Sequence, residues 1–107
     1  MRSFAPQAAR DVEAAAEWIS EMAGGPDAAR RMVQAVLEAA DRIASRPGLG
    51  RLRLDLVPAP FRFWTVRGFP YLLVYDADRS PAQVVRVLHM ARDLPTLLGD
   101  LGTEPPR

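Results

Sequence analysis

Val84-Val85-Arg86-Val87-Leu88-His89-Met90-Ala91-Arg92-Asp93 is an almost continuous apolar run into which a few polar side chains are set. Such a run is the pattern of a strand covered on both faces, in the middle of a sheet. An interior strand gains nothing from polar side chains unless they have partners or a job. By alternation, Arg86 is expected on one face with Val84 and Leu88. His89, the only histidine, is expected on the other face with Val85 and Val87. Arg92 and Asp93 follow as the strand ends.

Upstream, the period stays at two. Tyr71 to Tyr75 is dense in β-formers, and Phe61 to Val66 reads as another strand. Arg67-Gly68-Phe69-Pro70 and Asp76 to Pro81 are the turns between them. Leu52, Leu54 and Leu56 alternate with Arg51, Arg53 and Asp55, which predicts a half-buried strand with a charged outer face. Connections this short favour an antiparallel meander. Arg2 to Phe4 is either a short strand or a lead-in, and Asp93 to Leu101 is expected to form a short C-terminal helix.

Before Gly50 the period is helical. Ala8, Val12, Ala15, Ala16, Ile19, Met22 and Ala23 form one apolar face, with Glu13, Glu17 and Glu21 opposite. Trp18 falls at the edge of that face and is expected to seal the core. Gly24-Gly25 ends this helix, and Pro26-Asp27 opens the next. The second face is Ala29, Met32, Val33, Val36, Leu37, Ala40, Ile43 and Ala44. Asp27 with Arg31 and Glu38 with Arg42 have the spacing of favourable pairs. Two amphipathic helices joined by so short a link form an antiparallel hairpin, whose apolar face packs on one side of the sheet. The fold expected is α+β.

A chain of 107 residues suits one domain, expected over 1–101 with a flexible tail at 102–107. With no cysteine there is no thiol nucleophile, disulfide or thiolate metal site, and one histidine argues against zinc. No cofactor is expected. No run approaches a membrane span and no signal peptide opens the chain, so the expected location is the cytoplasm. All fourteen basic residues are arginine. Residues 50–92 hold seven of them against three aspartates, while residues 1–49 hold six against seven acids. A basic surface on the second half suits an acidic protein segment or a phosphate backbone.

The order of elements and several stretches together resemble the ParE toxins of the ParE/RelE toxin–antitoxin superfamily. The stretches are Pro6-Gln7-Ala8-Ala9-Arg10-Asp11-Val12, Trp18-Ile19, Pro26-Asp27-Ala28-Ala29 and Ile43-Ala44-Ser45-Arg46-Pro47-Gly48-Leu49-Gly50. Phe61-Arg62, Tyr71-Leu72-Leu73-Val74-Tyr75 and Val85 to Asp93 complete the set, the last being the most specific. The first strand looks short for the family, and Pro58-Ala59-Pro60 stands where a glycine is more usual.

The resemblance implies a RelE/ParE-like fold, a helical hairpin on a three- to four-stranded antiparallel sheet. It implies the toxin of a type II toxin–antitoxin system, bound and neutralised by a ParD-like antitoxin as a hetero-oligomer, with nucleic acid met only through that partner. Known ParE toxins trap DNA gyrase with cleaved DNA and block replication, which is inhibition by binding and not catalysis. On that reading Arg62, Arg86, His89, Arg92 and Asp93 are candidates for the target-binding surface. Arg51, Arg53, Trp64 and Tyr75 are candidates for antitoxin binding.

Two alternatives share the fold. One is a RelE-like ribosome-dependent mRNA endoribonuclease, with Arg62, Arg86, His89 and Arg92 as its catalytic set. Such a site needs a base, an acid and cations. The absence of lysine weighs against it, because an arginine stays protonated and is a poor proton donor. The other is an interaction module without toxicity. For single residues the structural roles also stand. His89 either hydrogen-bonds at a strand end or meets the target, Arg86 and Asp93 are candidates for an ion pair, and Tyr71 and Tyr75 share a face suited to packing.

Overall fold

A proline in the first turn opens both long helices, where its missing N–H costs nothing. The computed structural model describes residues 2–91, 94–99 and 101. Along the chain come β1 (Ser3–Phe4), α1 (Pro6–Trp18), a π-helical turn (Ile19–Ala23) and α2 (Gly25–Ser45). A 3₁₀ turn (Pro47–Leu49), β2 (Phe61–Thr65), β3 (Tyr71–Asp76), β4 (Gln83–His89) and α3 (Leu94–Leu98) follow. No helix among the described residues is long and apolar enough to cross a membrane.

The hairpin buries the face that the periodicity marks. Ala29, Met32, Val36, Ala40 and Ile43 of α2 are buried, joined by Ala39. Ala8, Val12, Ala15 and Ala16 of α1 join the same cluster, and small side chains let the helices approach closely. The first helix departs from expectation at its end. A π-helical turn takes more residues per turn than an α-helix, so the three- and four-residue spacing loses phase there. Ile19 is buried, while Met22 and Ala23 are exposed. Trp18 is 53% exposed and does not seal the core. Gly24, with φ of 153°, then turns the chain into α2. At the start of α2, Asp27 pairs with Arg30 and not Arg31, and Glu38 accepts from Gln34.

The sheet order is β1-β4-β3-β2. Strands β2, β3 and β4 form the expected antiparallel meander. The fourth strand is parallel, which makes the sheet mixed: β1 pairs Ser3 with Gln83 and Phe4 with Val84. A bulge interrupts β4, since Val74 faces Arg86 but Tyr75 faces Val84, leaving Val85 as the extra residue. Simple alternation therefore fails there. Val84, Val87 and His89 end up on the helix side, whereas Val85 and Leu88 belong to the other.

Both faces of the sheet are covered. Tyr71, Leu73, Tyr75, Val84 and Val87 meet the helical hairpin. On the other face Phe63, Leu72, Val74 and Leu88 form a second cluster with Val57 and with Leu98 of α3. Helix α3 stops at Leu98, with Gly99 and Leu101 in a turn, short of the expected end at Leu101. Arg92, Asp93 and the tail at 102–107 lie outside the described residues.

The expected strand over Leu52 to Leu56 does not form. Arg51 alone pairs with β2, exchanging both backbone hydrogen bonds with Phe63 at 2.9 and 2.8 Å. The Arg53 guanidinium then closes on Asp55 at 3.0 and 2.7 Å, and the amides of Leu56 and Val57 turn back to the Arg53 carbonyl. An aspartate-centred turn takes the place of the ladder; Leu52 and Leu54 are exposed, and of the alternating leucines Leu56 alone packs against the second cluster. Leu54 is 68% exposed, and the buried side chain of this stretch is Val57.

Candidate functional site

Strand β1 ends at Phe4, so beyond Val84 the edge of β4 has no strand beside it. Asp11 of α1 reaches into that gap. Its carboxylate accepts from Arg86 Nε at 2.8 Å, from Arg86 Nη2 at 3.2 Å and from the Val87 N–H at 3.0 Å. Arg86 Nη1 also donates to the carbonyl of Leu97 in α3 at 3.4 Å. Arg86 thus ties α1, β4 and α3 together, and both side chains of the pair are largely buried. Its ion-pair partner is Asp11, 75 residues away, while Asp93 lies outside the described residues. Asp11 sits at helical spacing from Ala8 and Ala15, on the apolar face. A carboxylate on an apolar helix face and an arginine in an interior strand were the signal for the pair.

His89 stands where β4 ends. Its Nδ1 accepts the Ala91 N–H at 3.0 Å, which in the neutral ring leaves the proton on Nε2. The ring meets Tyr71 edge to face, with centroids 5.3 Å apart at 79°. Burial raises the Tyr71 hydroxyl above its ordinary pKa. A cavity of about 460 Å³ opens here between α1 and β4, lined by Asp11, Ala14, Trp18, Tyr71, Arg86 and His89 among others.

Arg62 and Tyr75 belong to a different place, the end of the helical hairpin. The Tyr75 hydroxyl donates to the Pro47 carbonyl at 2.6 Å and accepts the Gly50 N–H at 2.7 Å. Arg62 Nη1 donates to the Gly50 carbonyl at 2.8 Å. A Cβ at Gly50 would stand 2.6 Å from the Tyr75 hydroxyl and 2.7 Å from the Phe63 carbonyl, which explains the glycine. Tyr75 is wholly buried and presents no surface. Desolvation raises its hydroxyl pKa, opposed by the Gly50 amide and the Arg62 charge.

Arg51 and Arg53 are exposed at the outer side of β2. They border a groove of about 380 Å³ with Phe63 and Leu72 among its walls and Met90 and Leu94 at its far side. The Arg51 guanidinium has no partner among the described residues. Arg53 keeps only the exposed Asp55, whose carboxyl it holds below the usual range by hydrogen bonding. Phe63 faces this side, and Trp64 lies on the wall of the same groove while also lining a second hollow toward α2 with Ala39, Arg42 and Arg67.

The candidate residues therefore fall in separate places. Arg62 sits opposite Tyr75 and His89 opposite Tyr71, two strands and four residues apart in register. At usual strand spacings their backbones are about 16 Å apart. Proton transfer at one phosphate needs groups within hydrogen-bond reach of it. Of the described ribonuclease candidates, Arg86 and His89 share a cavity, where Arg86 is spoken for by Asp11, and Arg62 lines another. No group of three metal-ligating side chains occurs among the described residues.

Comparison with known proteins gives a family. Residues 3–94 match the family model described as the ParE toxin of the type II toxin–antitoxin system parDE. No curated protein matches the chain. Among solved structures, a chain of the chromosomal ParDE toxin–antitoxin system from P. aeruginosa aligns with a TM-score of 0.66 at 22% identity. The alignment covers 83% of this chain and 96% of that one. At this identity the likeness speaks for the fold.

Proposed function

The chain belongs to the ParE toxin family of type II toxin–antitoxin systems, and on that premise we propose that it stops growth by binding DNA gyrase and not by cutting RNA. The observation that carries the choice is the scatter of the would-be ribonuclease residues. Arg62 holds the Gly50 carbonyl, Arg86 holds Asp11, and His89 spends Nδ1 on the Ala91 amide. A histidine whose Nδ1 is engaged and whose Nε2 carries the proton has no lone pair ready to accept one. In the target-binding set, Arg62 and Arg86 act as framework. The contact surface is His89 with Arg92 and Asp93.

The antitoxin is a ParD-like protein, a partner in keeping with the ParDE system of the similar P. aeruginosa structure. Its acidic segment lies in the groove bordered by Arg51 and Arg53, whose floor is apolar and whose rim is basic. Trp64 borders the same strand edge.

Purified toxin tests the target. Loss of gyrase supercoiling with accumulation of cleaved DNA, and intact mRNA on translating ribosomes, is the expected result. Cut mRNA with active gyrase would reverse the assignment.

A further inference from the structure

The Met90 N–H donates to the Pro70 carbonyl of the turn before β3 at 2.8 Å. By alternation the backbone groups of Leu88 and Met90 face β3, and those of Val87 and His89 face outward. On that outer edge β1 occupies only Gln83 and Val84, and Asp11 takes the Val87 N–H. The Val87 carbonyl and the His89 N–H remain, two residues apart and without partners among the described residues. Between them they offer the acceptor and donor that one residue of a parallel strand uses. An antiparallel strand at Val87 would need the N–H that Asp11 holds. Beyond His89 the Ala91 amide folds back onto the imidazole and ends the edge.

The side-chain surroundings fix what such a strand carries. Asp11 and Arg86 neutralise each other, so the neighbouring cavity offers no net charge to a ligand. Its other walls include Ala14, Ala15, Trp18 and Tyr71. Trp18, 53% exposed, is the large apolar side chain on the open side of this cavity. An unprotected edge beside exposed apolar side chains is a template for pairing with another chain.

We propose that the open half of the β4 edge docks an extended, uncharged segment of a partner protein. The segment adds parallel to β4, in line with β1, and places one bulky apolar side chain between Trp18 and His89. The residue next to it along the segment, opposite Leu88, donates its backbone N–H to the Val87 carbonyl and accepts from the His89 N–H at its own carbonyl. The inference goes beyond the gyrase reading, because it fixes a mode of recognition and not the identity of a target.

The probe is the peptide acetyl-Val-Thr-Phe-Thr-Val amide, titrated into the full-length toxin and followed by heteronuclear NMR and amide exchange. The His89 amide and the Trp18 indole shift, the His89 amide gains exchange protection, and the Val87 amide changes little. A peptide with Asp in place of Phe binds at least about tenfold more weakly, since a carboxylate loses its water without a counter-ion. An Ala14→Arg variant, altered at an exposed position on the cavity wall, folds with unchanged circular dichroism and loses the Phe peptide. No response at His89, shifts confined to Arg51–Thr65, equal binding of both peptides, or undiminished binding by Ala14→Arg would each overturn the proposal. Gyrase supercoiling is read separately, so either conclusion can fail alone.

Discussion

Arg86 and Arg51 stand at opposite sides of one sheet and have opposite surroundings. Arg86 is enclosed, with its charge matched by Asp11 and a spare N–H given to Leu97. Arg51 uses its backbone to pair with Phe63 and leaves its guanidinium in solvent beside an apolar groove. The same residue type is framework in one place and surface in the other. What differs is whether another element brings a carboxylate to it. Helix α1 brings Asp11 to β4, and among the described residues no carboxylate reaches the Arg51 guanidinium beside β2.

The largest effect that would break the comparison is at Asp11. Asp11→Ala leaves the Arg86 charge and the Val87 N–H unpaired inside the fold, and such a loss costs about 3 kcal/mol. Urea unfolding measures it; a change below about 1 kcal/mol would mean that Arg86 is as dispensable as a surface charge. Asp11→Asn keeps an acceptor for Val87 and is expected to lose less.

Tyr75 gives the next largest effect. Tyr75→Phe strands the Gly50 amide and the Pro47 carbonyl at the end of the hairpin, a loss of about 1–3 kcal/mol. The sign with pH follows from the raised hydroxyl pKa of the folded protein. The folded state holds the proton more tightly, so this stability is fully present below the unfolded pKa of about 10. It is lost as pH rises from there through the folded value. Thermal melts across the alkaline range should show a decline that Tyr75→Phe reduces and Tyr71, also raised by burial, keeps from vanishing.

The smallest effect on stability sharpens the other half of the comparison. Arg51→Ala and Arg53→Ala are expected to leave the unfolding midpoint nearly unchanged, as for other exposed side chains. They should nevertheless weaken antitoxin binding, more at low salt than at high salt, because exposed charges are screened. Titration of the antitoxin at two ionic strengths measures this. Unchanged affinity for both variants would remove the groove from the antitoxin interface.

Much of the architecture is legible in the sequence. The helical face from Ala29 to Ile43 and the β-dense run from Tyr71 to Tyr75 each bury what their periods mark. Local periodicity failed where a local competitor or a distant element decided. At Met22 the π-helical turn shifts the phase. At Leu54 the Arg53–Asp55 turn replaces a strand. At Val85 the bulge exchanges the faces. The candidate site was legible in its residue types and not in its grouping. The sequence marks Arg62, Tyr75, Arg86 and His89 by residue type, whereas Asp11 stands out in it only within the Pro6 to Val12 motif.

The sequence by itself determined the two long helices, the meander of β2 to β4, the α+β class and the resemblance to a toxin family, because period, turn chemistry and motif are properties of neighbouring residues. The tertiary structure alone decided which polar groups are satisfied. That Arg86 meets Asp11, that Tyr75 holds Gly50 and that the edge of β4 stays open beyond Val84 depend on contacts between residues far apart in the chain. An ion pair or a hydrogen bond is set by distance in space, which no local pattern records.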